Sequence, residues 1–201
     1  MPLVLTGDGA VGPLSASEVG FLDGVTSSVQ TQLNGKAAVA SQGLTLITTQ
    51  SFSAASAVNV NNCFSATYDN YRIVMYCTFG TASSHTLRLR ASGSDDSGTN
   101  YRINGHQSQA TAFNLNEQSL THFYFSSAAN NLNQHLVVDI SRPALAAPTG
   151  YSAIGASWDA TSGNRTAYIG GLHISSTAYD GFTISASQNA TGSLRVYGYG
   201  N

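Results

Sequence analysis

The sequence predicts a mainly β protein: a carboxy-terminal antiparallel β-sandwich of the jelly-roll kind, preceded by a short α-helical coiled-coil stalk. Three observations predict this. Apolar residues recur at every second position through much of residues 44–201, a narrow helical stripe lies within residues 16–43, and charged residues make up only 9% of the chain. A period of two is typical of half-buried strands, whereas spacings of three and four are typical of a helix.

Residues 1–15 are predicted to form an extended N-terminal segment. They are rich in glycine and contain a short apolar stretch at Leu3, Val4 and Leu5. This stretch has no basic segment and no long apolar core, so the sequence predicts no secretory signal peptide. No run of 18 or more apolar residues occurs along the chain, so we expect no membrane insertion.

Residues 16–43 are predicted to form a helical stalk through which copies of the chain associate. Four aliphatic side chains follow a spacing of three, four and four, which places them on one side of a helix. The residues between them are mostly polar or glycine, so the apolar stripe is narrower than that of a helix packed on a globular core. The alternative, a single helix packed across its own β domain, stays open. The predicted seam between copies of the chain consists of Leu22, Val25, Val29 and Leu33.

The energetics of such a stalk favour partner chains. Burial of four aliphatic side chains contributes roughly 1.5–3 kcal/mol each. Ordering the backbone costs about 1–2 kcal/mol per residue, and isolated helices of this length are marginal in water. The seam therefore predicts association of identical copies.

Residues 44–201 are predicted to form one β-sandwich head domain. Short apolar alternations are separated by clusters of Gly, Asn, Ser and Asp, which is typical of antiparallel sandwiches and jelly rolls. Pro143 and Pro148 are expected to bracket a loop, because proline cannot occupy a central strand. The predicted strands lie near residues 44–50, 72–79, 86–90, 120–126, 135–140, 151–157, 166–174, 182–186 and 194–197.

Composition limits the classes of partner. The formal net charge is −2, Lys36 is the only lysine, and the arginines are scattered, so we expect no nucleic-acid partner. Cys63 and Cys77 have neither metal-ligand spacing nor a redox CxxC arrangement, so two buried free thiols are predicted in preference to a disulfide. Such sparing use of cysteine fits assembly in a reducing cytoplasm.

The segment SASEVGFLDGVTSSVQTQLNGKA, residues 15–37, resembles a shaft module of bacteriophage tail fibres. FSATYDNYRIVM, LRLRASGSDDSGTNYR and SLRVYGYGN are similar to carboxy-terminal domains of phage tail or virion structural proteins. The resemblance implies a homotrimer located in the virion, on a tail fibre or other external appendage, and assembled in the host cytoplasm. It implies contact with other virion proteins through the N-terminus and contact of the distal β domain with the host surface. It leaves open whether the fibre sits on the tail or the head.

Two segments carry side chains suited to a host-surface glycan. Sugars present an apolar ring face and a rim of hydroxyls, so a receptor site needs an aromatic plane beside hydrogen-bonding groups. Both segments are predicted to be loops, where binding residues gather on a rigid scaffold. The alternative for Trp158 is a place in the sandwich core. The predicted receptor-binding residues are Asn100, Tyr101, Arg102, His106, Trp158, Asp159, Asn164 and Arg165.

The sequence predicts no catalytic residue, no metal and no cofactor. Glycan hydrolysis needs two convergent carboxylates, but the adjacent acids Asp95 and Asp96 would point in opposite directions along an extended chain. A solvated turn or a weak Ca²⁺ loop are the alternatives for these two acids. The histidines form no HExxH pattern, although a threefold axis could bring three copies of one histidine together around a metal. The chain contains no GxSxG elbow and no phosphate loop. The leading hypothesis is a receptor-binding phage fibre; the alternatives are a structural head fibre or capsid decoration protein and, third, a fibre-borne glycan depolymerase.

Overall fold

A computed structural model gives the fold, and the chain divides into two units, Met1–Ser41 and Gln42–Asn201. In the first unit, Thr31, Leu33 and Asn34 have helical backbone and exposed side chains, with Leu33 56% exposed. The other three predicted seam residues lie outside the described residues, so the stalk and the trimer stay predictions. The structure describes residues 31, 33–34, 43–80, 83–108, 113–128, 133–159 and 163–200.

The second unit is mainly β, and every strand pairing is antiparallel, which confirms the predicted fold class at that level. The strands follow one path in the order β4-β3-β11-β2-β8-β9-β10-β5-β6, with β1 paired to β11 and β7 paired to β3. The bounds are β1 Leu44–Val60, β2 Asn70–Phe79, β3 Ser83–Ala91, β4 Ser94–Asp95, β5 Tyr101–Ser108, β6 Phe113–Leu120, β7 Phe123–Ala128, β8 Asn133–Ser141, β9 Thr149–Asp159, β10 Gly163–His173 and β11 Gly181–Tyr199.

Two long strands, β1 and β11, belong to both halves of the sheet. The first part of β11 pairs with β3 as far as Ala186, and the second part pairs with β2 from Ala190 onward. β1 pairs with β11 where β11 changes its partner from β3 to β2. There β1 has register shifts on both sides of Ala55, and Ala54 has a φ of 47°. Such bulges bend a strand and increase its twist, so they let the sheet curl over itself.

The curled sheet encloses its core as a β-sandwich does. β7 lies across from β5 and β9, since the Phe123 ring centroid is 4.9 Å from that of Tyr101 and 4.1 Å from that of Tyr151. The period-two prediction is confirmed in β2 and β8, where alternate residues are buried. The buried residues of these two strands include Ile73, Met75, Cys77, Phe79, Leu136, Val138 and Ile140.

Several local predictions are confirmed and others are wrong. Cys63 and Cys77 are buried free thiols, and residues 142–148 form a loop that contains both prolines. The predicted loop at residues 100–106 is instead mostly β5, and β1 continues ten residues beyond the predicted end at residue 50. No helix among the described residues is long and apolar enough to cross a membrane.

Candidate functional site

One face of the sheet points away from the core; we call it the outer face. It consists of the alternate positions of β2, β8, β9, β10 and β5 that the core does not use. Its middle row is apolar, and the register places its four members side by side. This row is Val74, Val137, Ile154 and Tyr168, of which Ile154 and Tyr168 are 54% and 57% exposed.

A cavity of about 380 Å³ lies at one end of this face, beside Trp158; we call it the Trp158 cavity. Trp158 is 55% exposed because Tyr151 and Ala153 occupy the inward positions of β9, which turns the even-numbered residues outward. Trp158 pairs directly with Asn164 of β10, and His135 of β8 pairs with Ala156. The cavity is lined by Asn133, His135, Ala156, Ser157, Trp158, Asn164, Arg165 and Thr166.

A neighbouring pair on β2 and β8 orients one wall of the Trp158 cavity. The Tyr76 hydroxyl donates a 2.9 Å hydrogen bond to Oδ1 of Asn133, and the Tyr76 ring centroid lies 4.9 Å from that of His135. The contact holds the Asn133 amide with its oxygen toward Tyr76. The cavity therefore combines an exposed indole with amide, hydroxyl, imidazole and guanidinium groups, which can bind a neutral polyhydroxylated molecule by stacking and hydrogen bonding.

A second cavity of about 380 Å³, the Gly170 cavity, lies farther along β10. Gly170 pairs with Ser152 on one side and with Asn104 on the other, and Asn104 in turn pairs with Asn116. A Cβ added at Gly170 would meet no atom closer than 3.8 Å, so space is open above this residue. The lining residues are Arg102, Ile103, Asn104, Asn116, Gln118, Gly170, Gly171 and Leu172.

The structure brings together three of the predicted receptor residues, Trp158, Asn164 and Arg165, at the Trp158 cavity. They lie in β9 and β10, so the prediction that they occupy a loop is wrong. The fourth residue of that segment, Asp159, ends β9, and its side chain lies outside the described part of the molecule.

The predicted residues of the first segment are divided between core and surface. Tyr101 is fully buried, and its hydroxyl donates to the Asp96 carbonyl at 3.0 Å, so its ring is not accessible to a receptor. Asn100 is half-buried, and its carbonyl accepts a hydrogen bond from the Ile174 amide. Arg102 lines the Gly170 cavity, whereas His106 is exposed beside Tyr168 on the outer face.

Sequence reasoning missed the contribution of β8 and β6 to this surface. Asn133 and His135 reach Trp158 only because β8 pairs with β9, and no local pattern indicates that pairing. Asn116 belongs to β6, which the sequence pattern predicted only at its last residue. The Gly170–Gly171 pair inside an alternating strand is the available indication, since an internal glycine often marks a close backbone approach.

Asp95 and Asp96 have structural partners and do not form a solvated turn. Asp95 accepts hydrogen bonds from the buried Arg90 and from Thr183, the latter at 2.6 Å. Asp96 accepts from the Tyr179 hydroxyl and from the Gly98 amide. Burial alone would raise the pKa of Asp96, but these hydrogen bonds and the nearby His173 ring hold it below its usual range. The two carboxylates therefore anchor the β3–β5 connection.

No group of three or more His, Cys, Asp and Glu residues in the described part of the chain could hold a metal ion. The outer face carries aromatic rings, amides, hydroxyls, imidazoles and arginines, together with the Asp139 carboxylate that pairs with Arg72. The outer face is therefore an antiparallel sheet with two open cavities: the Trp158 cavity combines an exposed indole with amides, and the Gly170 cavity combines amides with apolar side chains.

No family model matches the chain, and no curated protein matches it. Among solved structures, the chain is similar to one described as "EclA C-terminal domain; sugar-binding protein", with 12% identity over 75% of this chain and 77% of that chain and a TM-score of 0.15. A likeness at that TM-score carries no argument about fold or function.

Proposed function

We propose that this protein is a bacteriophage fibre protein whose homotrimeric, jelly-roll-like β heads bind a glycan on the host surface without catalysis. It belongs to the virion, on a tail fibre or other external appendage, and is assembled in the host cytoplasm. Its N-terminus contacts other virion proteins, while the outer face of each head meets the cell. The shaft-like motif at residues 15–37 supports the fibre assignment.

The exposed indole of Trp158 is the observation that carries the glycan proposal. A tryptophan that is 55% exposed beside Asn133, His135 and Asn164 leaves a large apolar plane in water next to hydrogen-bonding groups. A pyranose ring offers the complementary arrangement, because its apolar face can stack on the indole while its hydroxyls meet the amides. This complementarity supports a binding module for neutral sugar units.

The test is binding of the fluorescently labelled full-length protein to a panel of bacterial strains. We expect the wild type to label susceptible strains. Trp158→Ala should weaken binding by roughly tenfold or more, since truncation of an aromatic side chain that the ligand covers costs about 2 kcal/mol. Trp158→Phe should retain most binding because a ring remains. Leu44→Ala is the matched control, since it removes another exposed apolar side chain, on β1.

Two outcomes would contradict this proposal. If Trp158→Ala labels cells as strongly as the wild type, the Trp158 cavity is not the receptor site. If the wild-type protein releases oligosaccharides from the surface polymer of a strain that it binds, the depolymerase hypothesis replaces binding without turnover.

A structural component of the head or capsid is the second candidate, favoured by the apolar row on the outer face. A contiguous set of exposed aliphatic and aromatic side chains is typical of a protein contact, and Val74, Ile154 and Tyr168 are all exposed. Virions that lack this protein should then bind the wild-type protein but not the Ile154→Asp variant. The labelled wild-type protein should bind to no bacterial strain of the panel. This candidate would be excluded if the wild-type protein labels cells and the Ile154→Asp variant binds virions as well as the wild type does.

A further inference from the structure

The two cavities of the outer face lie along a single strand. Asn164 and Thr166 line the Trp158 cavity, and Gly170 and Leu172 line the Gly170 cavity, all on β10. Between them stands Tyr168, which is 57% exposed and belongs to neither lining. Six residues of extended strand separate Asn164 from Gly170, which corresponds to about 20 Å.

The Gly170 cavity shares amide and guanidinium groups with the Trp158 cavity and has an aliphatic wall in place of the indole. Its floor is a glycine whose outward side is empty, because the nearest atom to an added Cβ is the Tyr151 carbonyl oxygen at 3.8 Å. Asn104 and Asn116 stand in line beside that floor, and both are exposed amides. Leu172, 50% exposed, supplies an apolar wall. An open floor, two amides and an apolar wall fit a hydroxyl-bearing ring.

Gly170 and Gly171 differ in the space around an added side chain, and this difference supports the Gly170 cavity as a binding site. A Cβ at Gly171 would lie 2.2 Å from the Arg102 carbonyl oxygen, so the absence of a side chain there is required by close strand packing. No comparable contact exists at Gly170, and its outward-facing neighbours on β10 are large. The gap in the outer face at Gly170 is therefore not demanded by the packing of the sheet.

We infer that the ligand is an oligosaccharide segment of a polymeric surface glycan, which lies along β10 and occupies both cavities, with Tyr168 beneath its middle. This inference rests on the proposed function and deepens it, because a terminal monosaccharide would fill the Trp158 cavity alone. The stretch from Trp158 past Tyr168 to Gly170 offers aromatic or apolar surface and amides to several successive units.

The test uses oligosaccharides released by partial acid hydrolysis from the surface polysaccharide of a strain that the protein labels, separated by length and titrated calorimetrically into the full-length protein. Affinity should rise with length until the chain spans about 20 Å and then level off. Gly170→Phe, which fills the second cavity, should bind the long fragments about tenfold more weakly and the shortest fragments as the wild type does. Gly170→Ala is the matched control, since its methyl group fits and should leave affinity unchanged.

The double variant Asn104→Ala/Asn116→Ala provides a second measurement should Gly170→Phe fail to fold, and it should show the same selective loss for long fragments. The inference is overturned if affinity already levels off at one or two sugar units, or if the folded variants bind long fragments as the wild type does. If Trp158→Ala still abolishes binding in that case, the proposed function stands without the second site. If Trp158→Ala binds as the wild type does, both the proposed function at the Trp158 cavity and the second binding site are refuted.

Discussion

At the residue scale, the function open to a side chain depends on whether its strand position faces the core or the solvent. Trp158 and Tyr101 are both aromatic residues of the predicted receptor set. Tyr101 takes an inward position of β5 and is fully buried, whereas Trp158 takes an outward position of β9 and is 55% exposed. A shift of one residue in β5 would turn Tyr101 outward, and the same shift in β9 would turn Trp158 inward.

His85 leads to a prediction about pH. It is buried beside Cys77 and Phe79, and burial lowers its pKa to about 4 despite a hydrogen bond with Gln134. In the unfolded chain the imidazole titrates near pH 6.5, so between pH 6.5 and about 4 the unfolded state binds more protons. The free energy of unfolding is therefore unaffected by the titration of His85 above pH 6.5. It falls as the pH decreases from 6.5 to about 4, by roughly 3 kcal/mol in total.

The measurement is urea unfolding from pH 7 to pH 4. The wild type should lose stability more steeply than His85→Gln, which cannot titrate. His135→Gln serves as the control, since it makes the same substitution at an exposed histidine. Equal slopes for the wild type and His85→Gln would show that this imidazole is not held neutral by burial.

At the element scale, the long ribbon of β1 and β11 connects the two halves of the sheet, and a polar cluster holds β3 and β4 against it. The Arg90 guanidinium donates to Asn61 Oδ1 at 2.9 Å, to Thr183 Oγ1 at 2.6 Å, and to Asp95. Thr183 belongs to β11, and Asn61 directly follows β1. One buried cation therefore joins four segments of the chain.

Arg90→Leu should destabilise the protein by about 3 kcal/mol, because it leaves the partly buried Asp95 carboxylate without its cation. Arg195→Leu is the matched control: this arginine is exposed on β11, and its replacement should change stability by less than about 0.5 kcal/mol. Denaturant midpoints for both variants provide the measurement. An Arg90→Leu protein as stable as Arg195→Leu would mean that the cluster contributes no net stability.

At the scale of the whole molecule, the proposal depends on association of three chains. Each outer face offers open, shallow cavities, and a single weak site of this kind would release its ligand rapidly. Linking several such sites raises apparent affinity by 10²–10⁴-fold without any new contact, provided that the ligand is repetitive. A polymeric glycan has that property.

Leu22→Asp/Val29→Asp in the full-length chain should convert a trimer into a monomer, because two carboxylates per copy would meet in the predicted seam. Sedimentation equilibrium gives the mass. The monomer should bind intact cells at least a hundredfold more weakly than the wild type yet bind isolated oligosaccharides equally well. A wild type that sediments as a monomer would refute the trimer and the avidity argument together.

The sequence by itself determined the local features: the strands with a period of two, the buried residues of β2 and β8, the free thiols and the proline loop. These follow from residues within a few positions of one another, since alternation and turn residues act locally. Only the tertiary structure decided which strands are neighbours. The pairing of β8 with β9 and of β10 with β5 placed Asn133 beside Trp158 and Asn104 beside Gly170. Such pairings depend on burial of the whole core, which no short segment encodes.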